Sequence, residues 1–182
     1  MPRVAAAIVV LLVVFGAGVA TGLWLERGSG PEAEDVAAAP PTPGSVVDPI
    51  PRGRSADVGV WALRVVDSDD DAAERIAAAN QFNAPPPEGH RQVMVEVVLE
   101  RRGRGPAVVR GTITAALGTP AGRTFPLGQD CGILPDPLDT GQPVRESQEI
   151  RGQWCWVVPE EELAKIRLEV AGTGGGSVWF RL

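Results

Sequence analysis

The chain has 182 residues and a formal net charge of -6, and 44% of its residues are hydrophobic. Residues 52–182 carry 18 acidic and 15 basic side chains, a net charge of -3, which excludes the concentrated basic face that nucleic-acid phosphates require. Beyond the apolar N-terminal segment and the stretch that follows it, the length leaves room for about one domain.

Residues 4–25 contain no charged side chain. At about 1.5 Å per residue, a helix of this length would extend roughly 33 Å, enough to cross a hydrocarbon core of about 30 Å. Arg3 precedes the segment and Glu26 follows it, so the N-terminus should stay in the cytoplasm and the remainder should be exported. We therefore predict a transmembrane signal anchor over residues 1–25, which contacts the membrane through residues 4–25.

A cleaved secretory signal is the alternative for this segment. Gly18 and Ala20 are small residues at the minus-three and minus-one positions of a cut after Ala20. The apolar run is longer than the core of about 7–15 residues that is typical of a signal peptide, and Trp24 suits the membrane–water interface. We favour the uncleaved anchor, a single-pass cell-membrane protein with an extracytoplasmic C-terminal domain; with cleavage, the domain would be secreted.

Residues 26–51 consist mainly of proline, alanine, glycine, serine and acidic residues, with few large apolar side chains. Such a segment cannot bury enough apolar surface to form a core. We predict a disordered linker here, stiffened locally by its prolines, which would hold the domain at residues 52–182 away from the membrane.

From residue 52 onward, short apolar runs of period two alternate with glycine, proline and charged residues, a pattern typical of strands. In the clearest run, 91–101, one face should be buried and the other largely solvated. Its apolar face consists of Val93, Val95, Val97 and Leu99. The other runs cover 57–66, 107–117, 123–127, 148–158, 164–171 and 177–182. Seven short strands predict an all-β, antiparallel two-sheet sandwich.

Helices should be short connectors. Asp71 and Glu74 are spaced as a capping pair for a helical turn or two through Ala79. Pro159, followed by three glutamates, suits the first turn of a second short helix. The proline-rich stretch 80–91 cannot continue a helix and is predicted to be an extended loop.

Cys131 and Cys155 are the chain's two cysteines, and both lie in the part predicted to be exported. We predict that they form a disulfide, which would contribute on the order of 3 kcal/mol on the chain-entropy model. Metal ligation is the alternative, but a zinc site wants about four ligands and the chain's one histidine is His90. We therefore predict no metal site.

Trp154 and Trp156 flank Cys155, so both indoles lie on one face of the predicted strand and the sulfur on the other. We favour the arrangement in which the tryptophans lie in the core with Val158, because large aromatic side chains usually carry packing. If they lie outside, they form an exposed aromatic patch and a candidate binding site.

The acidic run suggests calcium, because hard cations take several carboxylate oxygens. The run consists of Asp67, Asp69, Asp70 and Asp71. Its spacing disagrees with an EF-hand, since Ala72 stands where glycine is needed for the turn and Ala78 where a bidentate glutamate is needed. We therefore favour a solvated loop.

Residues for catalysis are few. His90 is the one base of the kind that a hydrolytic triad uses, and no serine lies in a nucleophile-elbow context. Asp136 and Asp139 are close in sequence, which says nothing of their separation in space. We predict that the chain is not an enzyme, with no catalytic residue and no cofactor.

Three stretches resemble a known family. They are Asn-Gln-Phe-Asn-Ala-Pro-Pro-Pro-Glu-Gly-His-Arg at 80–91, Gly-Gln-Trp-Cys-Trp-Val-Val-Pro at 152–159, and Val-Trp-Phe at 178–180. Together with the strands between them, they resemble exported actinobacterial immunoglobulin-like domains of unknown function, which are similar to the fold of a secreted mycobacterial immunoprotective antigen. The resemblance covers residues 54–182 and implies an anchored immunoglobulin-like sandwich with no established activity. The chain departs from the family in lacking a lipid-attachment cysteine and in its acidic loop.

These observations predict a membrane-anchored, extracytoplasmic, non-enzymatic binding or interaction module of the cell envelope. Its partner would be an envelope or extracellular protein that the sequence does not identify. The alternative is a small-ligand or calcium-binding exported domain that uses the Asp67 to Asp71 loop or an exposed tryptophan pair.

Overall fold

A computed structural model describes residues 41–128 and 130–182. The predicted membrane segment, residues 4–25, and most of the predicted linker lie outside these residues. In the part of the chain that is described, no helix combines the length and apolar character needed to cross a membrane.

Eight strands form two four-stranded sheets in which every neighbouring pair is antiparallel. The first sheet contains, in spatial order, β1 (Ser55–Val58), β2 (Trp61–Asp69), β3 (His90–Arg101) and β6 (Glu149–Pro159). The second contains β5 (Thr124–Pro126), β4 (Ile113–Gly118), β7 (Arg167–Gly172) and β8 (Ser177–Phe180). Two short helices connect strands, α1 (Ala73–Ala79) and a 3₁₀ helix (Glu160–Lys165).

The all-β, two-sheet sandwich is confirmed. The first predicted run is instead two strands, because the chain turns at residues 59–60 and β1 pairs back onto β2. The strand order also differs from that of an immunoglobulin constant-type domain, in which the second strand pairs with the fifth. Here β2 pairs with β3, and β3 with β6.

The core lies between the two sheets and contains the alternating side chains that the sequence assigns to it. Trp61, Leu63 and Val65 of β2 are buried, and Leu168 and Phe180 supply the facing side from the second sheet. The predicted inner face of β3 is fully buried; it consists of Val93, Val95, Val97 and Leu99. Hydrophobic burial at alternate positions thus fixes the strand register in this sheet.

The outer face of β3 was expected to be largely solvated, and this is wrong, since Val98 is buried and Glu96 and Glu100 are only partly exposed. Gln92 and Met94 are both buried. The cause is α1, which lies over this face and begins where the Ala72 amide donates to the Gln92 carbonyl at 2.9 Å. Ile76 of α1 packs in a second cluster with Met94 and the two cysteines. The first sheet is therefore covered on both faces near the start of β3.

The short helices form where they were predicted, but α1 lacks the predicted cap. Its N-cap residue is Ala72, and no side chain caps it. The Asp71 carboxylate instead accepts a hydrogen bond from Arg91 at 2.6 Å. The 3₁₀ helix follows Pro159 and leads directly into β7.

Loop segments hydrogen-bond to the outer edges of β8 and β6. Residues 44–50, which the sequence places in the linker, pair with β8: the Trp179 amide donates to the Gly44 carbonyl, and the Ile50 amide to the Trp179 carbonyl, both at 2.8 Å. On β6, the Gln153 amide donates to the Asp136 carbonyl at 2.8 Å. The chain passes so close here that a Cβ on Gly152 would lie 2.4 Å from a backbone atom of residue 138.

Candidate functional site

The predicted disulfide is present and lies outside the main core. Cys131 and Cys155 are joined, with their Cα atoms 6.1 Å apart, and both are buried beside α1. Cys155 belongs to the outer face of β6, so the bond fixes the segment that begins at Cys131 onto the first sheet. The disulfide therefore braces a loop on the sheet surface that faces away from the second sheet.

Trp154 and Trp156 lie inside the sandwich with Val158, which removes the exposed aromatic patch as a candidate site. Their rings meet edge to face, with centroids 6.3 Å apart and planes at 84°. Edge-to-face contact is a favourable arrangement for aromatic quadrupoles. The two indoles act in packing.

The acidic run is held by arginines. Arg52 lies 3.5 Å from Asp67, and Arg75 and Arg91 pair with Asp69 and Asp71 at 3.1 and 2.6 Å. Within residues 41–128 and 130–182, no group of three or more histidine, cysteine, aspartate or glutamate side chains is arranged to hold a metal ion.

Arg91 joins two acidic side chains from different elements. It also pairs with Glu160, at 2.9 Å, so it links the acidic run to the 3₁₀ helix. The hydrogen bond to Asp71 and the negative charges of Asp71 and Glu160 raise the pKa of Arg91 above its already high ordinary value. This arginine is therefore charged near neutral pH.

The other residues considered for chemistry have local structural partners. The Nδ1 atom of His90 lies 3.1 Å from the Glu88 carbonyl oxygen. The Asp139 carboxylate accepts hydrogen bonds from the Gly141 and Gln142 amides at 2.9 and 3.2 Å, which is a turn. Neither contact arranges a nucleophile beside a base.

The feature that stands out is the loop after α1. The loop begins at Asn80, whose side chain accepts a hydrogen bond from the Phe82 amide at 2.9 Å and so forms an Asx-turn. The Phe82 side chain that this turn presents is 83% exposed. Single exposed apolar side chains are common on protein surfaces, and such exposure marks interaction sites when it forms a patch.

Asn83 ties this loop to the disulfide-braced segment. Its Oδ1 accepts a hydrogen bond from the Ile133 amide, and its Nδ2 donates to the Ile133 carbonyl, both at 2.8 Å. The same Nδ2 donates to the Ile76 carbonyl of α1 at 2.6 Å. One side chain thus pairs with the backbone of residue 133 as a neighbouring strand would.

Gly132 makes this pairing possible. Its φ is +68°, and a Cβ there would lie 2.2 Å from the Asn83 Oδ1 atom. Only glycine fits at this position without moving the asparagine. The following side chain, Ile133, is 58% exposed. We call residues 80–84 together with 132–134 the clamped loop surface.

Sequence reasoning missed the clamped loop surface because the contact joins residues 50 positions apart. The available signal was the pair Asn80 and Asn83 in a proline-rich loop, since asparagine side chains commonly substitute for backbone partners.

A small open cleft of about 210 Å³ is lined by Pro87, His90 and Pro126, among other residues.

Comparisons with known proteins assign no family. Neither a protein-family model nor a curated protein matches this chain.

Three bacterial structures are similar in shape. The first is a conserved hypothetical protein from Bacillus anthracis, with 11% identity and a TM-score of 0.47 over 70% of this chain and 92% of that one. The second is an uncharacterized β-sandwich protein from Clostridium difficile, with 7% identity and a TM-score of 0.48 over 74% and 95%. The third is the yjhA protein of Bacillus subtilis, with 11% identity and a TM-score of 0.46 over 73% and 98%. Similarity at this level transfers no function or site residue.

Proposed function

We propose that the chain is a membrane-anchored, extracytoplasmic, non-enzymatic module that binds an envelope or extracellular protein through the clamped loop surface. The observation that carries the proposal is the exposure of Phe82 on a loop that Asn83 fixes to the disulfide-braced segment. Surface loops fixed on a rigid scaffold are common sites of recognition.

Energetics favour this surface as a contact. Burying a phenylalanine or isoleucine side chain against a partner contributes about 1.5–3 kcal/mol. Because hydrogen bonds already hold the backbone of Phe82 and Ile133, binding would lose little further backbone entropy. Aromatic anchors on rigid backbone are typical of the few residues that dominate an interface.

The proposed location rests on two features. The apolar segment 4–25 would serve as the anchor, and its flanking charges would direct the domain outward. The Cys131–Cys155 disulfide agrees with this, since disulfides persist in oxidising compartments. Cleavage after Ala20 would yield a secreted form of the same module.

The family assignment is also a proposal. The stretches 80–91 and 152–159, which resemble exported actinobacterial immunoglobulin-like domains, meet at one end, where His90 pairs with Pro159 and Arg91 with Val158. The first of them contains Asn80, Phe82 and Asn83. We infer that the resemblance reports a shared way of supporting this loop on the first sheet.

Site-specific photocrosslinking in intact cells tests the proposed partner. With a photoreactive residue at position 81, irradiation should give one protein adduct of defined mass. Phe82→Ser should reduce that adduct at least tenfold, because an apolar anchor is lost. The free energy of unfolding of the Phe82→Ser variant should stay within about 0.5 kcal/mol of the parent's, because the Phe82 side chain is exposed.

Val47→Ser is the matched control for this experiment, since Val47 is an exposed apolar residue, at 70%, that lies outside the clamped loop surface. It should leave the adduct unchanged. An adduct that survives both Phe82→Ser and Ile133→Ser would contradict the proposal. So would crosslinking to lipid in place of protein.

The calcium alternative receives no support from the acidic run, because Arg75 and Arg91 pair closely with Asp69 and Asp71, and no group of three or more acidic, histidine or cysteine side chains within the described residues is arranged to hold a metal ion. Adding millimolar calcium should leave the melting temperature of the full chain unchanged. Differential scanning calorimetry with magnesium as the control ion measures this. A rise with calcium that Asp69→Asn abolishes would restore the calcium hypothesis.

A further inference from the structure

A cleft of about 350 Å³ opens where β2 ends and β7 begins, with walls from both sheets. This volume suits a small ligand. Its polar wall contains Arg52, Ser68 and Arg167, and Asp70 lies at the same cleft. It is separate from the clamped loop surface, and nothing above assigns it a role.

Arg52 is positioned but only weakly neutralised. Its Nη2 atom donates to the Ser68 hydroxyl at 2.5 Å, which orients the guanidinium group. Its ion pair with Asp67 is long, at 3.5 Å, and the arginine side chain is 42% exposed. Exposed pairs of this kind contribute little to stability, so an incoming anion would readily displace the aspartate.

Arg167 has an unsatisfied donor. Its Nη1 atom donates to the Ile166 carbonyl at 2.7 Å. Its Nε atom is buried and has no hydrogen-bond partner within the described residues. A buried donor without a partner is unfavourable, and an oxyanion that draws the guanidinium group of Arg167 toward the cleft would satisfy it. Arginine suits such a ligand because its N–H groups match the geometry of carboxylate and phosphate oxygens.

The remaining lining is apolar. Its accessible apolar residues are Leu163 of the 3₁₀ helix and Leu182, both half-buried, and Ala164, which is exposed. An ion without an apolar part would leave this wall in water. The lining therefore favours a ligand that carries an apolar group next to its charge.

We propose that this cleft binds a small organic oxyanion, a carboxylate or a phosphate monoester, whose compact apolar group contacts Leu163, Ala164 and Leu182. Arg52 and Arg167 hold the charged end. Asp70 repels the charge of a bound anion and so limits its affinity. The same carboxylate would not weaken the binding of a cation or a neutral ligand, so its effect on affinity distinguishes these kinds of site.

NMR titration of the full chain in non-ionic detergent tests the proposal through the Arg167 Nε–Hε signal. Isovalerate and isobutyl phosphate are the probes, and they separate the carboxylate from the phosphate source. At least one should shift this signal saturably. Neutral 3-methylbutanol and sodium chloride at matched ionic strength should not.

Variants sharpen the test. Arg52→Gln and Arg167→Gln should each weaken binding about tenfold, because each removes a charge-assisted hydrogen bond. Asp70→Asn should strengthen anion binding. Because Asp70 is exposed, this substitution keeps the fold, and a gain in binding cannot be explained by unfolding of the variant. Phe82→Ser should leave anion binding unchanged, so the two sites are judged independently.

Three results would overturn the proposal. The first is the absence of a saturable shift with either anion. The second is equal shifts with chloride, which would show only general charge screening. The third is an Asp70→Asn variant that binds the anion more weakly, since that would show that the Asp70 carboxylate supports binding and does not repel the ligand.

Discussion

Replacing Trp156 by alanine should lower the free energy of unfolding by about 3–5 kcal/mol. Trp156 is completely buried, lies opposite Val93 of β3, and contacts Trp154 edge to face. The substitution leaves a cavity between the two sheets, which the surrounding strands cannot fill without losing their register. Chemical denaturation followed by circular dichroism measures the loss.

Trp156→Phe is the matched control. The indole Nε1 of Trp156 has no hydrogen-bond partner within the described residues, so phenylalanine removes a buried, unsatisfied N–H and keeps most of the apolar surface. We expect this variant to retain far more stability than the alanine variant. If the two variants lost equal free energies of unfolding, the phenylalanine ring would contribute no packing at this position, which would contradict the expectation.

Removing the disulfide with the double variant Cys131→Ala, Cys155→Ala should cost on the order of 3 kcal/mol, because the crosslink closes a loop of 24 residues in the unfolded chain. Alanine avoids burying an unpaired hydroxyl beside Met94. The variant should also release the 131–134 segment, so amide hydrogen exchange at Ile133 should accelerate more than exchange in β3.

The parent treated with reductant under denaturing conditions and then refolded is the control for the disulfide. It should match the double variant in stability, whereas reductant should not affect the double variant itself. If the double variant unfolded at the parent's denaturant midpoint with the same slope, the crosslink would not be stabilising the domain.

Much of the first sheet could be predicted because its signals are local. Alternation along β3 identified its inner face. The spacing of Trp154 and Trp156 placed both indoles on one face of β6, and the packing preference of large aromatic side chains correctly assigned that face to the core. Period-two burial acts within a single strand, so one strand's sequence is enough to reveal it. The disulfide could be predicted from the count of two cysteines and from the expected export of the domain to an oxidising compartment.

The rest depends on contacts between distant parts of the chain. Gln92 and Met94 are buried because α1 and the disulfide lie over them, and neither residue's neighbours in sequence indicate that cover. The acidic run resembled a cation site because the arginines that pair with it, such as Arg91, come from other elements. The polar cleft gathers Arg52 and Arg167, which are far apart in sequence.

The covered edges of β8 and β6 restrict how a partner can recognise this domain. Many proteins bind extended peptides by accepting them as an additional strand, which requires free backbone donors and acceptors. Here residues 44–50 already occupy such positions on β8, and the Asp136 region does so on β6. The two remaining edge strands, β1 and β5, have only four and three residues. Strand addition at β8 or β6 would first require the domain to displace part of itself, and this closure also opposes edge-to-edge aggregation.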